Sequence, residues 1–436
     1  MNILVYSHNL SPRLRYIFKQ IFNNVLNVNV SFTDNIEYFI NNDLPKISYT
    51  HRKISNELFF RSTDLLFEKT IVNQDIKVLE FRSIKFFYPC EDSCLPFDPF
   101  AASFFMLSRY EEYLPHIKDK FGRFEAKESF AYKNNFLDKP IVDIWAVLVK
   151  EELVKYYPNL IFPIKNYNYL NTIDIDNAFS YLDKGFLRNI GGFFRDLIKN
   201  NRPFERIKVL FKYSKDPYDT YSKLFDFINK YNLKTIFFFL LADYGYNDKN
   251  VPYTSNRLRE LIKQISDYYN IGIHASYNSL KNTNKLKIEM NRLSEILHKE
   301  VLDSRQHFIK LNMPSMYRNL IKNGIKDDYS MGFVSLPGFR AGTCSKFSFY
   351  DLDLESETDL NIHPFSIMDV TLNDYMNLTP SQSINIIRNI IDEIKIVEGT
   401  FISIWHNESL NYSGRWYGWD NVYLKMIKYA KKHESF

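Results

Sequence analysis

Cysteine is nearly missing from this sequence, with only Cys90, Cys94 and Cys344 in 436 residues. Three thiols cannot build a disulfide framework, which fits a reducing compartment. "CEDSC" has no second Cys or His pair nearby to complete a zinc site. Charge of one sign is also scarce: 56 basic against 51 acidic residues leave a formal charge of +5. No Lys/Arg block of the kind that tracks a phosphate backbone occurs, so nucleic acid is not an expected partner. Nor does any apolar run approach the roughly 20 residues that a membrane span needs; "TIFFFLLADYGY" is far too short. The start, "MNILVYSHNLSPRLRYIFKQIF", reads as strand, turn and helix rather than as a secretory signal. These absences predict a soluble, cytoplasmic protein with no integral membrane segment, and they leave its oligomeric state open.

What remains is ordinary globular composition, 45% hydrophobic and 25% charged, at a length that suggests two or three domains. Aromatic residues, including 31 Tyr and 38 Phe, fill cores and can also line sugar-binding clefts. Residues 1–165 mix short apolar strands such as "ILVYS" and "IKVLEFRSIKFFY" with helical patterns, "IVDIWAVLVKEELVKYY" being the clearest, and predict a smaller α/β domain. Within it, "DKFGRFEAKESFAYKNNFLDKP" is polar and turn-rich and reads as an exposed excursion.

From 166 to 436 the texture becomes that of a parallel α/β barrel or doubly wound sheet, with seven strand candidates separated by helices. The strands are "YLNTIDID", "KTIFFFLL", "IGIHAS", "SRQHFIK", "YSMGF" leading into "GFRAGT", "NIHPFSIMD" and "GTFISIWHN". "KLKIEMNRLSEILHKEV", "SQSINIIRNIIDEIKIVEG" and "WDNVYLKMIKYAKK" read as helices. The segment near 181–220 exceeds a normal connection and reads as a helical insertion over the barrel mouth, with aromatic and basic content suited to a lid or substrate wall.

The stretch "YLNTIDIDNAF" places Asp174 and Asp176 two apart in a strand, hence on one face. Two such carboxylates are reconciled by a shared proton, a cation or an arginine; the alternative is a helix cap beside a turn aspartate. Further polar residues end other strands: His274, Arg305 with His307, Arg340, Asp369 and His406. In parallel α/β barrels that end is where loops converge on one cavity. Alternation puts Arg305 with His307, and His406 with Ile402 and Ile404, on common faces.

The order "TIDID", "HASYNS", "FRAGT" and "IWHN" resembles the polysaccharide deacetylase superfamily of metal-dependent carbohydrate esterases, over roughly 166 to 430. That family ends a first strand in T-F-D-D and a later one in H-S/T-x-x-x-H, followed by an arginine motif and a final leucine-x-histidine. The resemblance implies a deacetylase-type barrel, seven-stranded, and a catalytic set of Asp174 as base, Arg340 orienting it and His406 as general acid. It implies a divalent ion, zinc, held by Asp176 and His274, once the extra Ile175 is allowed.

The family's second motif histidine is here Asn278, a poor zinc ligand; His307 is inferred to replace it. Asn278, Arg305, Asp369, Trp405 and Trp416 are assigned to substrate contact, with Tyr417 and Trp419 as further stacking candidates. Without metal, one of Asp174 and Asp176 is expected to titrate high.

The first domain resembles the accessory domain of a group of bacterial deacetylase-like proteins. Asp98, Arg109, Glu111 and Glu112 in it read as interface or helix-surface charges. The implied activity is removal of acetyl, N-linked, from a sugar or glycan precursor. Two alternatives stand: an inactive glycan-binding or assembly protein, and a metal-dependent hydrolase of another C–N or ester bond.

Overall fold

"NILVY" forms β1 (Asn2–Tyr6), and β2 (Asn29–Thr33), β3 (Lys46–Thr50) and β4 (Leu58–Arg61) complete a parallel sheet in the order β2-β1-β3-β4. The computed structural model describes residues 1–198, 203–280, 282–411 and 413–432. Helix Pro99–Leu107 is apolar all round and accordingly buried along its whole length. Asp98 caps it through the amides of Phe100 and Ala101, and Phe100 stacks on Phe18 at 3.8 Å. A hairpin of β5 (Leu79–Phe81) and β6 (Ile84–Phe86) is tied to helix Ile141–Tyr156 by the Trp145 indole, which donates to the Lys85 carbonyl.

The second sheet has nine strands: β7 (Asn168–Ile175), β8 (Lys234–Phe239), β9 (Asn270–Ala275), β10 (Asp303–Gln306), β11 (Asp327–Asp328), β12 (Phe347–Asp351), β13 (Ser356–Ile362), β14 (Ile367–Met368) and β15 (Thr400–His406). Their order is β12-β13-β11-β10-β9-β8-β7-β15-β14, and every pair is parallel except β12 with β13. Among the described residues no ladder joins the two edges, β12 and β14.

The strand count thus differs from the seven read in the sequence. "NIHPFSIMD" is divided between β13 and β14 at Pro364, which cannot donate to a ladder. "GFRAGT" is loop rather than strand: Gly338, at φ +128°, sits where an added Cβ would meet the Leu137 carbonyl oxygen at 2.4 Å. β12 was not foreseen, and polar "SETDL" gives β13 no apolar alternation. The anticipated helices form at Thr283–Leu297, Pro380–Ile396 and Trp419–Lys431, and the insertion holds helices Phe186–Ile198 and Pro203–Leu210.

Strand alternation divides the buried residues into two sets. Leu170, Ile236, Phe238, Ile402 and Ile404 point inward and pack with Phe365 and Met368 beneath the site. Their neighbours Tyr169, Ile173, Phe237, Phe401 and Trp405 point outward into a cluster that runs on into the first sheet's core. Each such side chain contributes roughly 1.5–3 kcal/mol by leaving water.

Polar contacts bind the two sheets' surroundings together. Asp143 accepts from Thr343 Oγ1, the Cys344 amide and Ser345 Oγ, and Arg340 pairs with Glu112. All three cysteines are free, and no helix of the described residues is long and apolar enough to cross a membrane.

Candidate active site

Parallel pairing brings the C-terminal ends of β7, β9, β10, β14 and β15 to one edge. Register then aligns His406 with Asp174, and Arg305 with His274. Around a cavity of about 180 Å³ stand Asp174, Asp176, His274, His307 and His406.

Three of these form a compact donor set. The ligand atoms of Asp176, His274 and His307 all lie within 4.8 Å of one another, with His274 Nε2 at 3.0 Å from Asp176 Oδ1 and His307 Nε2 at 3.3 Å from Oδ2. The outer nitrogens fix the rings. His274 Nδ1 lies 2.9 Å from the Arg305 carbonyl oxygen, which can only accept, so Nδ1 carries the hydrogen. His307 Nδ1 lies 2.8 Å from the Asp248 carboxylate.

In the neutral rings both Nε2 lone pairs therefore face carboxylate oxygens, acceptor against acceptor, an arrangement that asks for a cation. Asp176 Oδ1 is moreover buried without a satisfied hydrogen bond. One carboxylate and two backed imidazoles suit a zinc-like ion, so the residues present fit a divalent metal.

When no metal is bound, a proton takes its place. Burial disfavours a charged His307, but Asp176 and then Asp248 outweigh it and raise the ring to about 9. Burial would likewise raise Asp176, yet the His307 and His406 charges hold it well below the usual carboxylate range. The expectation of a high-titrating carboxyl therefore fails at Asp176, because three imidazoles surround it.

Asp174 is 1% exposed, and its Oδ2 is 3.8 Å from His274 Nε2. Its partner is Arg305, whose Nη1 donates to Asp174 Oδ1 at 2.8 Å and to Thr172 Oγ1 at 2.7 Å, while Nε donates to the Tyr329 carbonyl. The guanidinium lies over the Phe238 ring at 4.6 Å. His406 Nδ1 and its backbone amide both reach Asp369, each at 2.8 Å, and Nε2 is 3.8 Å from Asp176 Oδ2. Burial opposes charge on this ring, but Asp369 and Asp176 raise it well above its ordinary value.

Five assignments are corrected. Arg340 does not touch Asp174; the loop carrying it turns the side chain onto Glu112 Oε2 at 2.6 Å, which Arg109 also pairs. Arg305 and Asp369 are wholly buried, paired with Asp174 and His406, and do not line the cavity. Trp405 points outward, its indole N–H directed at Met426 Sδ. Asn278 is exposed, donates to Asp248 Oδ2 and does not line the cavity.

Trp416 is buried against Trp419 and lines a neighbouring cleft. Asp98, Arg109 and Glu112 are buried rather than on a helix surface. Two residues at the site went unread. Asp248 follows β8, and its position past a parallel strand's C-terminal end was the available signal. Arg123 comes from the supposed excursion, and its sequence surroundings held none.

Residues 3–158 match a family described as a family of unknown function (DUF7033). No curated protein matches the chain. Among solved structures, the chain is similar to a putative polysaccharide deacetylase from Mycobacterium smegmatis at 16% identity and TM-score 0.41, over 62% of this chain and 85% of that one. It is similar to a polysaccharide deacetylase from Bacillus cereus at 12% and 0.31, over 61% and 88%, and to a probable one from Pseudomonas aeruginosa at 13% and 0.37, over 62% and 85%. Such values transfer no reaction, and the chemistry rests on the side chains themselves.

Proposed function

We propose that the chain is a metal-dependent hydrolase that removes an acetyl group, N-linked, from a sugar or glycan precursor in the cytoplasm, with residues 166–436 as the catalytic part and 1–165 as an accessory domain. The observation that carries this reading is the Asp176, His274 and His307 donor set, with the Arg305-paired Asp174 on one side and the Asp369-paired His406 on the other.

Asp176, His274 and His307 would hold a divalent ion, zinc by its donor chemistry, which when bound polarises a carbonyl and acidifies water. Asp174, held in place by Arg305, is the base that accepts the proton of the attacking water. Arg305 acts through Asp174 and is a positioning residue. His406, charged through Asp369, faces the cavity with Nε2 and protonates the departing amine there. Ile309, Val334, Met368 and Val370 line the remaining wall, exclude water and suit an acetyl methyl.

The inactive alternative rested on Asn278, but that amide lies outside the cavity, so its presence removes no donor from the set. Metal content of the purified chain tests the proposal. About one divalent ion per chain is expected, lost in His274→Ala and His307→Ala, together with acetate release from N-acetylglucosamine oligomers. A wild-type chain that binds no divalent ion after supplementation ends the hydrolase reading.

A further inference from the structure

Beside the small cavity lies a larger cleft of about 680 Å³, walled by the helical insertion on one side and by Asn411 and residues 413–416 on the other, with Arg415 common to both. Its cations are Lys184, Arg188, Arg195, Arg206, Lys249 and Arg415, against two acidic lining residues, Asp196 and Glu205. Arg415 is neutralised by Asp374 and Glu408, and Arg195 and Arg206 share Asp196, which leaves an excess of three cations. Among the described residues Lys184 forms no ion pair, and burial with the Arg188 charge lowers its ammonium to about 8.

Arg188 meets only the carbonyls of Lys249 and Asn250 and the Tyr244 ring at 4.0 Å. Arg206, 4% exposed, uses Nη1 and Nη2 on Asn189 and Asp196, but its buried Nε has no partner. The Trp416 indole N–H, on the facing wall, is also buried and unpartnered. Unsatisfied donors and like charges gathered in one cleft cost stability unless an anion joins them.

We infer that this cleft receives a phosphoryl or diphosphoryl group joined to the sugar whose acetyl enters the small cavity, so the substrate is a phosphorylated saccharide rather than a neutral glycan. The inference rests on the deacetylase reading for its sugar and on the cleft alone for its anion. A diphosphate fits better than a sugar carboxylate because it concentrates several negative charges within one group, as an excess of three cations requires. The aromatic rings of Tyr181, Tyr218 and Tyr244 leave room for an attached ring system beside the anion.

Calorimetric titration of inorganic pyrophosphate, citrate and a neutral N-acetylglucosamine oligomer into the full chain tests it, with and without an uncharged metal chelator. Lys184→Gln and Arg188→Gln run in parallel; both residues are half-buried on the insertion, outside the protein core, so folding is retained. Pyrophosphate is expected to bind in both conditions, more weakly at higher salt, and each variant to lose about tenfold in affinity with metal content unchanged.

Absence of pyrophosphate binding, binding that both variants keep in full, binding that disappears with the chelator, or tighter binding of citrate would each overturn the assignment. The two readings fail separately. A chain without metal that still binds pyrophosphate through Lys184 and Arg188 loses the hydrolase and keeps the anion cleft; a metal-loaded, acetate-releasing chain indifferent to pyrophosphate does the reverse.

Discussion

Replacing Arg305 with methionine separates the arginine that serves the base from the one that sequence order suggested. Arg305 is completely buried, and among the described residues its 2.8 Å contact is the only ion pair to the nearly buried Asp174 carboxylate apart from the more distant His274. At an effective dielectric near 20 such a contact is worth up to about 6 kcal/mol before desolvation. Breaking a buried pair typically costs about 3–5 kcal/mol.

Arg305→Met should therefore lose about 3–5 kcal/mol in denaturant unfolding. It should also lower acetate release about a hundredfold, since Asp174 loses the donor that aims its carboxylate. Arg340→Met is the matched comparison, because it removes one of the two arginines on the buried Glu112, which Arg340 and Arg109 hold to about 2 despite burial. It should lose stability with acetate release retained. Acetate release that falls in Arg340→Met and is kept in Arg305→Met refutes the assignment of Arg305 to the base.

Metal affinity should rise with pH: His307 holds a proton up to about 9 in the metal-free chain, and a bound ion must displace it. A chelator-competition series between pH 7 and 8.5 should show about a tenfold gain per pH unit, and a flat series would exclude His307 as a ligand. Asp248→Asn removes the carboxylate behind His307 Nδ1 and should weaken metal binding about 10–100-fold while the ring remains in place; unchanged affinity would show that Asp248 only braces the loop. Asp369→Asn removes the first charge that raises His406, so the ring loses its proton at lower pH and the basic limb of the rate profile shifts down. An unmoved basic limb would take His406 out of the acid role.

Much of this site was legible because period-two geometry is strict. Asp174, His274 and His406 stand at the ends of largely apolar strands and Arg305 on the short polar β10, and parallel pairing sends those strand ends to one edge. The same rule contradicted one assignment from the outset. If His406 points inward with Ile402 and Ile404, Trp405 must point outward, and it lies against the last helix. Stacking on sugar was inferred from residue type where parity had already decided.

Arg340 failed for a different reason. "GFRAGT" sits at the right place in the order of motifs, but its glycines make a loop, and in a loop the direction of a side chain is set by packing rather than by alternation. Arg305, which stands on a true strand, takes the contact that order had given to Arg340.

Arg123 marks where reading from local pattern stops. The polar excursion closes into a turn in which Asp119 accepts from the amides of Phe121 and Arg123 and pairs with the Arg123 guanidinium. Everything local is satisfied, as in any surface turn. Yet Arg123 is buried, donates to the Phe308 carbonyl at 2.7 Å and to the Tyr375 hydroxyl at 3.0 Å, and lines the candidate cavity. Phe121 meets the Phe308 ring, one residue past His307.

The turn thus fixes the backbone that follows a metal-site histidine, at a residue, Phe308, held in the left-handed region at φ +61°. A segment from the first 165 residues is therefore part of the wall that orients His307, and the candidate cavity is built by both parts of the chain. An accessory domain that merely tethers would leave this contact unmade.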